Sequence, residues 1–599
     1  MKELFKEQNE LFLVILLAAV LFLSNIWGYD LWAPDEPRFA EISREMIEEG
    51  HWIVPHDNGL IYTDKPPLLF WLISVFSILT GGVSSLSARL PSVLAGLGAV
   101  AITYIIALRL FGRKTAALSS LVLTTSYMFF DKARTAQTDM LMTFFILLCF
   151  LFFYLSQGAL QHRRKMLLFF YCALAFAVMT KGPLGFILPL GVILLHLASA
   201  GEMKKVKDIF LPEGIILFFV IVVGWIAAAT VTSRGEYSVF AALNRHVVER
   251  FSEGLHHRQP FYYFLKTFPV DFLPWSLFIP AAVALFFTKL RSVERKESTF
   301  LLCWFFFIFV FFTFSREKRN LYILPLFPAA SIMVGNLFGK VIGDGLASVP
   351  GKVAAIFNYF LSGLLIAAGI FIPAASWVKA REYFFLSSIL GAIVIVSAFF
   401  IFRLTWKQGW LQGTAFSYFP LFFAAGAVLP AIAFASYPDF LKPTFLMGVV
   451  LIAGALFLLF EIRRGFSMRT LIVIILTIAA FYLSAVYSAF PVLNEYKSAR
   501  HFSVSVAATV KDYLKEGDRL PVYKTYRSAY VFYSGLFLHV IETEEELEML
   551  FSSGERKFCL IARSDIPDVS RSVGSRASFH EISSEDIGHR SMVLISNHP

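Results

Sequence analysis

The chain is short of charge. Only 16% of its 599 residues are Asp, Glu, Lys or Arg, where a soluble protein of this length carries about 25%. That shortage excludes an ordinary water-soluble enzyme. Cysteine is scarce as well, with Cys149, Cys172, Cys303 and Cys559 the full set. Three lie in apolar runs and one in the tail, so neither a disulfide framework nor a zinc-site spacing is present. A small-x-small cleavage site is missing after the first apolar run, Leu11 to Leu23, which is therefore expected to stay as an uncleaved first span.

What fills the space is apolar. Hydrophobic residues make up 57% of the chain, and runs of about 15–22 apolar residues recur to about residue 490, the pattern of a polytopic helical membrane protein. Spans are expected at 11–28, 88–108, 115–130, 139–156, 167–179, 184–198, 213–232, 271–288, 299–314, 321–339, 353–374, 383–402, 413–436, 443–460 and 470–490. The net charge of +10 then sets orientation and is no sign of a nucleic-acid partner. Alternate loops hold the basic residues: Arg109, Arg113 and Lys114; Arg163 to Lys165; Lys204, Lys205 and Lys207; Lys289 to Lys296; Arg463, Arg464 and Arg469. These loops share one side, read as cytoplasmic together with the N-terminus. The organisation expected is a membrane domain over 1–490 and an extracytoplasmic domain over 491–599.

The other side holds long loops at about 29–87 and 233–270. It also holds three short loops that carry basic residues against the trend: "DKARTAQTD" with Arg134, "TKGP" with Lys181, and "SREKRN" with Lys318. Cations on that face would neutralise an anion at the membrane surface. Weak local bias is the plainer reading.

"APDEPRFAEISREMIEEG" opens the first loop. Pro37 suits a first helical position and Glu36 the cap, with both acids at the positive end of the helix dipole. Phe39, Ile42, Met46 and Ile47 form an apolar stripe, and Arg38, Glu41, Arg44, Glu45 and Glu48 a polar face, as in a helix lying in the membrane interface. Capping needs one acid. The second leaves Asp35 as a base or an orienter of an acceptor or metal, with Glu36 behind it. Lys65 follows Asp64 and precedes Pro66–Pro67, where a rigidly held ammonium can meet a phosphate; a snorkelling lysine is the plainer alternative. The second loop carries His256, His257 and Arg258 before an aromatic stretch. A His pair can bind metal, but a second ligand pair is lacking.

The tail departs from this pattern. "RLPVYKTYRSAYVFYSG" reads as a strand and a short helix. "LHVIETEEELEMLFSSG" reads as a strand, a Thr543 cap and an acidic helix, and "KFCLIAR" and "SMVLISN" as strands. A small α/β domain is expected, serving as a lid or docking module.

Together "PDEPRFAEISREMIEEGHWIVPHDNGLIYTDKPPLLFW", "ARTAQTDMLMTFF", "TKGPLGFILPLG", "ERFSEGLHHRQPFYYF" and "SREKRNLYILPLFPA" resemble the GT-C class glycosyltransferases of the protein O-mannosyltransferase superfamily. They are most similar to its bacterial aminoarabinose lipid A transferase branch, over residues up to about 340. The resemblance implies about 13 spans, interfacial helices in the first outer loop and a soluble C-terminal domain. It implies a bacterial inner-membrane enzyme, inverting at the sugar, that uses a polyprenyl-phosphate donor and a lipid A, glycan or protein acceptor. It also implies a catalytic acid at Asp35, a lipid-phosphate lysine at Lys65 with Asp64 before it, a further acid at Asp139 and a second-loop arginine at Arg258. Better-known members more often carry Glu where this chain has Asp64. The expected site is then Asp35, Glu36 and Asp139 for chemistry, and Lys65, Arg258, Lys318, Arg134 and Lys181 for the donor phosphate. A divalent metal on Asp64, His256 and His257 is left open. A transporter or flippase is the rival reading, but it would need ionisable groups at mid-span. The expected spans carry essentially none, His196 lying near one end. A non-enzymatic scaffold would not need the outer cations.

Overall fold

The computed structural model describes residues 2–158, 160–237, 258–344, 351–379, 381, 384–515, 517–572, 578–588 and 590–599. The apolar runs fold as helices throughout, and the chain is a multi-pass membrane protein. Among the described residues ten helices are long and apolar enough to cross a membrane, or eleven if a bent pair counts as one span. That pair, Tyr263–Asp271 and Trp275–Lys289, turns by 113°, so the span expected at 271–288 begins in a break. Two other expectations shift. The span at 115–130 divides into Arg113–Thr125 and Tyr127–Ala133. It divides because Ser126 is extended (ψ 135°) and the Tyr127 N–H donates to Leu273 O instead of up its own helix. The spans at 11–28 and 184–198 correspond to apolar helices of only 15 and 16 residues, Asn9–Leu23 and Leu184–Ser199.

Close helix packing relies on small residues, as lipid-embedded bundles do. Gly369 and Gly391 face each other across the hairpin of Gly351–Lys379 and Phe384–Gln408, each where an added Cβ would strike the other's carbonyl oxygen. Gly426 and Gly448 repeat this across the next hairpin.

After the first helix, Lys2–Leu23, the chain forms the Asp35–Glu48 helix, a small antiparallel pair β1 (His56–Asp57) and β2 (Leu60–Ile61), and the Leu68–Thr80 helix. The first-loop helix starts two residues earlier than expected: Pro34 occupies the cap position, and no side chain caps it. Asp35 and Glu36 stand inside its first turn. Phe39, Ile42 and Met46 are buried as the stripe required. The polar face is not solvated at the membrane surface, however: Glu41 is 0% and Glu45 2% exposed. The reason is the C-terminal unit, which lies over it.

That unit has its own core, running from Ala499 through Phe502 and Val506 to Leu594. Its strands are β3 (Leu520–Tyr523), β4 (Leu538–Ile541), β5 (Phe558–Ala562), β6 (His580–Ile587) and β7 (Arg590–Ser596), in the order β4-β3-β5-β7-β6. The β3 pairings with β4 and β5 are parallel, and the β7 pairings with β5 and β6 antiparallel. The Thr543 capping box forms, with Glu546 bonding back. The strand β6 was not legible: its alternate residues are mostly polar, and only its pairing with β7 makes it a strand.

The edge strand β4 needs covering, and the first loop covers it. Asn58, at φ 62°, donates from Nδ2 to Leu538 O (2.9 Å) and accepts on Oδ1 from the Leu538 N–H (2.7 Å). Arg519 donates to Asn58 O (3.1 Å). Asp57 accepts from the Tyr526 hydroxyl (3.1 Å) and the Ser528 hydroxyl (2.9 Å), and the Leu31 N–H donates to the Tyr533 oxygen (2.7 Å). Substituting Asn58→Ala removes both bonds to β4 and leaves a buried N–H without an acceptor, at about 1–3 kcal/mol. The expected outcome is faster proteolytic release of the C-terminal unit in detergent, with the membrane helices intact. An unchanged cleavage rate would mean the dock rests on other contacts.

Candidate active site

A six-residue stretch organises the site. From the end of the Tyr127–Ala133 helix into the first turn of the Thr138–Ser156 helix, residues 134–139 touch three other segments in turn. Arg134 is 1% exposed, and its guanidinium donates to the carbonyls of Leu21, Phe22 and Ser24. A cation on the final carbonyls of a helix opposes the negative end of its dipole. Arg134 therefore closes the first helix and, contrary to expectation, is not placed toward a donor phosphate. The Ala136 N–H donates to Glu36 Oε1 (3.0 Å). Gln137 donates from Nε2 to Asp35 Oδ2 (3.2 Å). Asp139, in the first turn of its helix, binds the Lys181 ammonium.

Glu36 is fully occupied. Arg89 grips it from Nε and Nη2 (2.8 and 2.9 Å), and the Trp32 N–H donates to it (3.1 Å). The remaining Arg89 donors go to the carbonyls of Ile26, Tyr29 and Asp30. Arg89 lies inside the span expected at 88–108, against the expectation that the spans lack ionisable groups. It is the fifth residue of the Ser85–Phe111 helix, near an end and not at mid-membrane.

Asp35 differs. Its second strong partner is Arg319, which donates from Nη2 to Oδ2 (3.0 Å). Burial works to raise the Asp35 carboxyl, but the charge and hydrogen bond of Arg319, with Arg38 and the Gln137 bond, outweigh it and hold the group below the usual carboxylate range. It is an ionised acceptor held between a guanidinium and a carboxamide. Arg319, Gln137 and Arg89 carry no expectation from the sequence, and Arg38 only that of a polar-face residue. The quoted motifs contain Arg319, Gln137 and Arg38, and an arginine in an apolar run is itself a signal.

Lys65 and Lys181 come together. Both line a cavity of about 460 Å³. Asp64, Glu317 and Tyr322 also line it, and its apolar lining includes Phe186, Phe218, Trp225 and Phe311. Asp35 and Arg319 lie within electrostatic reach of Lys181, so the cavity adjoins the clamped carboxylate at that lysine. Lys318 does not line the cavity. Its ammonium donates to Ser315 O and Gln259 O, tying two loops together, and Arg258 pairs backbone to backbone with Glu317. Both brace the rim. His256 and His257 lie outside the described residues. Among the described residues no group of three His, Cys, Asp or Glu side chains is placed to hold a metal, and Asp64 is not joined to one.

Residues 64–227 match the dolichyl-phosphate-mannose-protein mannosyltransferase family. The chain is 32% identical over 335 residues to an uncharacterised protein of Aquifex aeolicus, covering 55% of this chain and 64% of that one. It is 29% identical over 436 residues to the undecaprenyl phosphate-α-4-amino-4-deoxy-L-arabinose arabinosyl transferase of Pectobacterium carotovorum, covering 70% and 75%. The crystal structure of ArnT from Cupriavidus metallidurans bound to undecaprenyl phosphate superposes with a TM-score of 0.70 at 20% identity, over 98% of this chain and 97% of that one. The chain has the GT-C fold. In sequence it is similar to the aminoarabinose transferase named above, and its C-terminal unit is included in the superposition.

Beside this candidate site the buried face of the Asp35–Glu48 helix carries two carboxyls one turn apart. Arg44 donates to Glu41 Oε1 (2.8 Å), and the Gly59 N–H to Glu45 Oε2 (3.0 Å). Glu41 Oε2 and Glu45 Oε1 find no donor, while the two carboxyls lie within hydrogen-bond reach of each other. One proton shared between them satisfies both. Burial pushes Glu41 up to about 8, against the pull of Arg44 and with the help of Glu45. A raised carboxyl contributes stability that is complete below its unfolded value and lost as pH rises through the folded one. Thermal stability in detergent should therefore fall from pH 5 to pH 9. Glu41→Gln, which donates without titrating, should flatten that slope and be the more stable form at pH 9. An unaltered slope would assign the pH dependence elsewhere.

Proposed function

We propose that this chain is an integral-membrane glycosyltransferase that moves a sugar from a polyprenyl-phosphate donor to a lipid or protein acceptor on the outer face of a bacterial cytoplasmic membrane. The observation that carries the reading is the cavity that Lys65 and Lys181 both line, with Lys181 within reach of Asp35 and an otherwise largely apolar and aromatic lining. A phosphate at the lysines with its chain along the aromatic lining fits both. The undecaprenyl phosphate named for the relative and for the superposed structure supports that donor class.

In the reaction the acceptor's nucleophile attacks the anomeric carbon, and the bond from that carbon to the phosphate oxygen breaks on the opposite side, inverting the centre. Lys65 and Lys181 take up the charge that grows on the leaving phosphate; one such donor is commonly worth about 3–4 kcal/mol. Asp35 is ionised at neutral pH, so it is a weak base in the ground state. Its work is to orient the acceptor and offset the positive charge that develops there, accepting the proton as the new bond forms. Asp139 is a positioning residue that aims Lys181, and Glu36 one that fixes the turn carrying Asp35. A transporter would have no use for a carboxylate clamped by Arg319 and Gln137.

Asp35→Asn keeps the shape and loses the charge. Turnover in single-turnover transfer should fall by at least about 10², with melting in detergent near wild type. Lys65→Ala in the same assay should weaken donor binding. Wild-type transfer by Asp35→Asn would remove Asp35 from the chemistry and direct attention to Asp139.

The outer orientation follows from the alternating basic loops. Leu60, which is well exposed, tests it: a cysteine there should react with a membrane-impermeant maleimide added outside intact spheroplasts. Labelling only after lysis would reverse the topology, and with it the donor argument.

A further inference from the structure

A second cavity lies at the other end of the bundle. The Thr138–Ser156 helix begins at the catalytic stretch and ends at this cavity, about 27 Å away at 1.5 Å per residue. The Ser85–Phe111 helix likewise runs from Arg89 to Arg109, and the Arg295–Phe314 helix returns from Lys296 toward Ser315. The cavity, of about 500 Å³, is therefore separate from the site described above and opens at the opposite membrane surface.

Its lining is divided. Phe153, Leu197 and Phe300 form a buried apolar floor. Arg109, Lys205 and Lys296 stand at the mouth. Both lysines share one counter-ion, Glu202, and Arg109 has no ion-pair or hydrogen-bond partner among the described residues. His196, whose ring rests edge-on against Phe300, and Glu297 also line the cavity, and each has a buried atom without a partner, Nδ1 and Oε2 respectively. The cavity thus offers an unshared guanidinium and an imidazole to an anion, and beside them a carboxylate oxygen that lacks a donor.

A simple anion leaves Glu297 unsatisfied and pays for its repulsion. A simple cation leaves Arg109 unsatisfied. A group that carries both signs satisfies each. We propose that this cavity binds the headgroup of an aminophospholipid, a phosphodiester flanked by a primary ammonium. The phosphate sits on Arg109 and His196, the ammonium on Glu297, and the acyl chains leave along the apolar floor. Basic pockets between helices at a membrane surface are a recurrent way to hold a lipid phosphate. The carboxylate within this one is what selects the amine.

The test is native mass spectrometry of the delipidated full-length protein, titrated separately with phosphatidylethanolamine, phosphatidylglycerol, phosphatidylcholine and water-soluble glycerophosphoethanolamine. One phosphatidylethanolamine per chain should be retained, at least about tenfold more tightly than phosphatidylglycerol. Phosphatidylcholine, whose quaternary ammonium has no N–H to give, should bind more weakly. Arg109→Gln should lose about tenfold in retention, and Glu297→Gln should abolish the preference for phosphatidylethanolamine. Both variants should keep wild-type melting and sugar transfer in saturating donor. Phosphatidylglycerol bound as well as phosphatidylethanolamine by the wild type would overturn the proposal, as would full retention by Arg109→Gln. Equal displacement of the lipid by glycerophosphoethanolamine would show a soluble headgroup ligand, and would overturn the assignment to a membrane lipid.

Discussion

The structure around the candidate site depends on one buried ion pair. Arg89 and Glu36 meet in two parallel bonds, and their spare capacity goes to backbone: three carbonyls from residues 26–30 on one side, the N–H groups of Trp32 and Ala136 on the other. Taking two such charges out of water is costly, and attraction repays it only when the remaining donors and acceptors are satisfied. Here the backbone satisfies them. The end of the first helix, the start of the first outer loop, the Ser85–Phe111 helix and the 134–139 stretch are thereby fixed to a single point. Removing one partner would leave a charge in a dry environment, at about 3–5 kcal/mol.

Asp35 is held by being next to this point and not part of it. Adjacent acids in the first turn of one helix face different surroundings. Glu36 turns inward to a fully buried guanidinium, whereas Asp35 turns toward Arg319 and Gln137, within electrostatic reach of Lys181 in the cavity wall. Both are ionised. One is committed to structure, and the other retains the contacts a substrate could replace. The same logic separates the basic residues. Arg134 and Lys318 use their donors on backbone carbonyls, while Lys65 and Lys181 line a cavity large enough for a ligand.

The C-terminal unit enters the same network from above. By pairing Asn58 with β4 and covering the polar face of the Asp35–Glu48 helix, it converts that face from solvated to buried. This is why Glu41 and Glu45, ordinary in sequence, share a proton in the fold. A helix that would lie at a membrane surface becomes the middle layer between the membrane bundle and the sheet.

Hydropathy by itself determined that the chain threads a membrane and where the helices fall, because twenty apolar residues have few other stable states. Turn and cap chemistry determined β3, β4, the Thr543 cap, β5 and β7, each a local decision. The motif order determined the GT-C resemblance and brought Asp35, Asp64, Lys65, Asp139 and Arg258 forward together, while the charge pattern of the outer loops brought forward Lys181. The tertiary structure alone decided which charge meets which. Arg319 reaches Asp35 across 284 residues and Arg89 reaches Glu36 across 53, separations at which no spacing rule applies. It also decided that Arg134 closes a helix, that β6 is a strand and that two exposed-looking glutamates are buried. Local patterns report the backbone's preference, whereas the worth of a charge depends on what excludes water from it, and here that is always a segment distant in sequence.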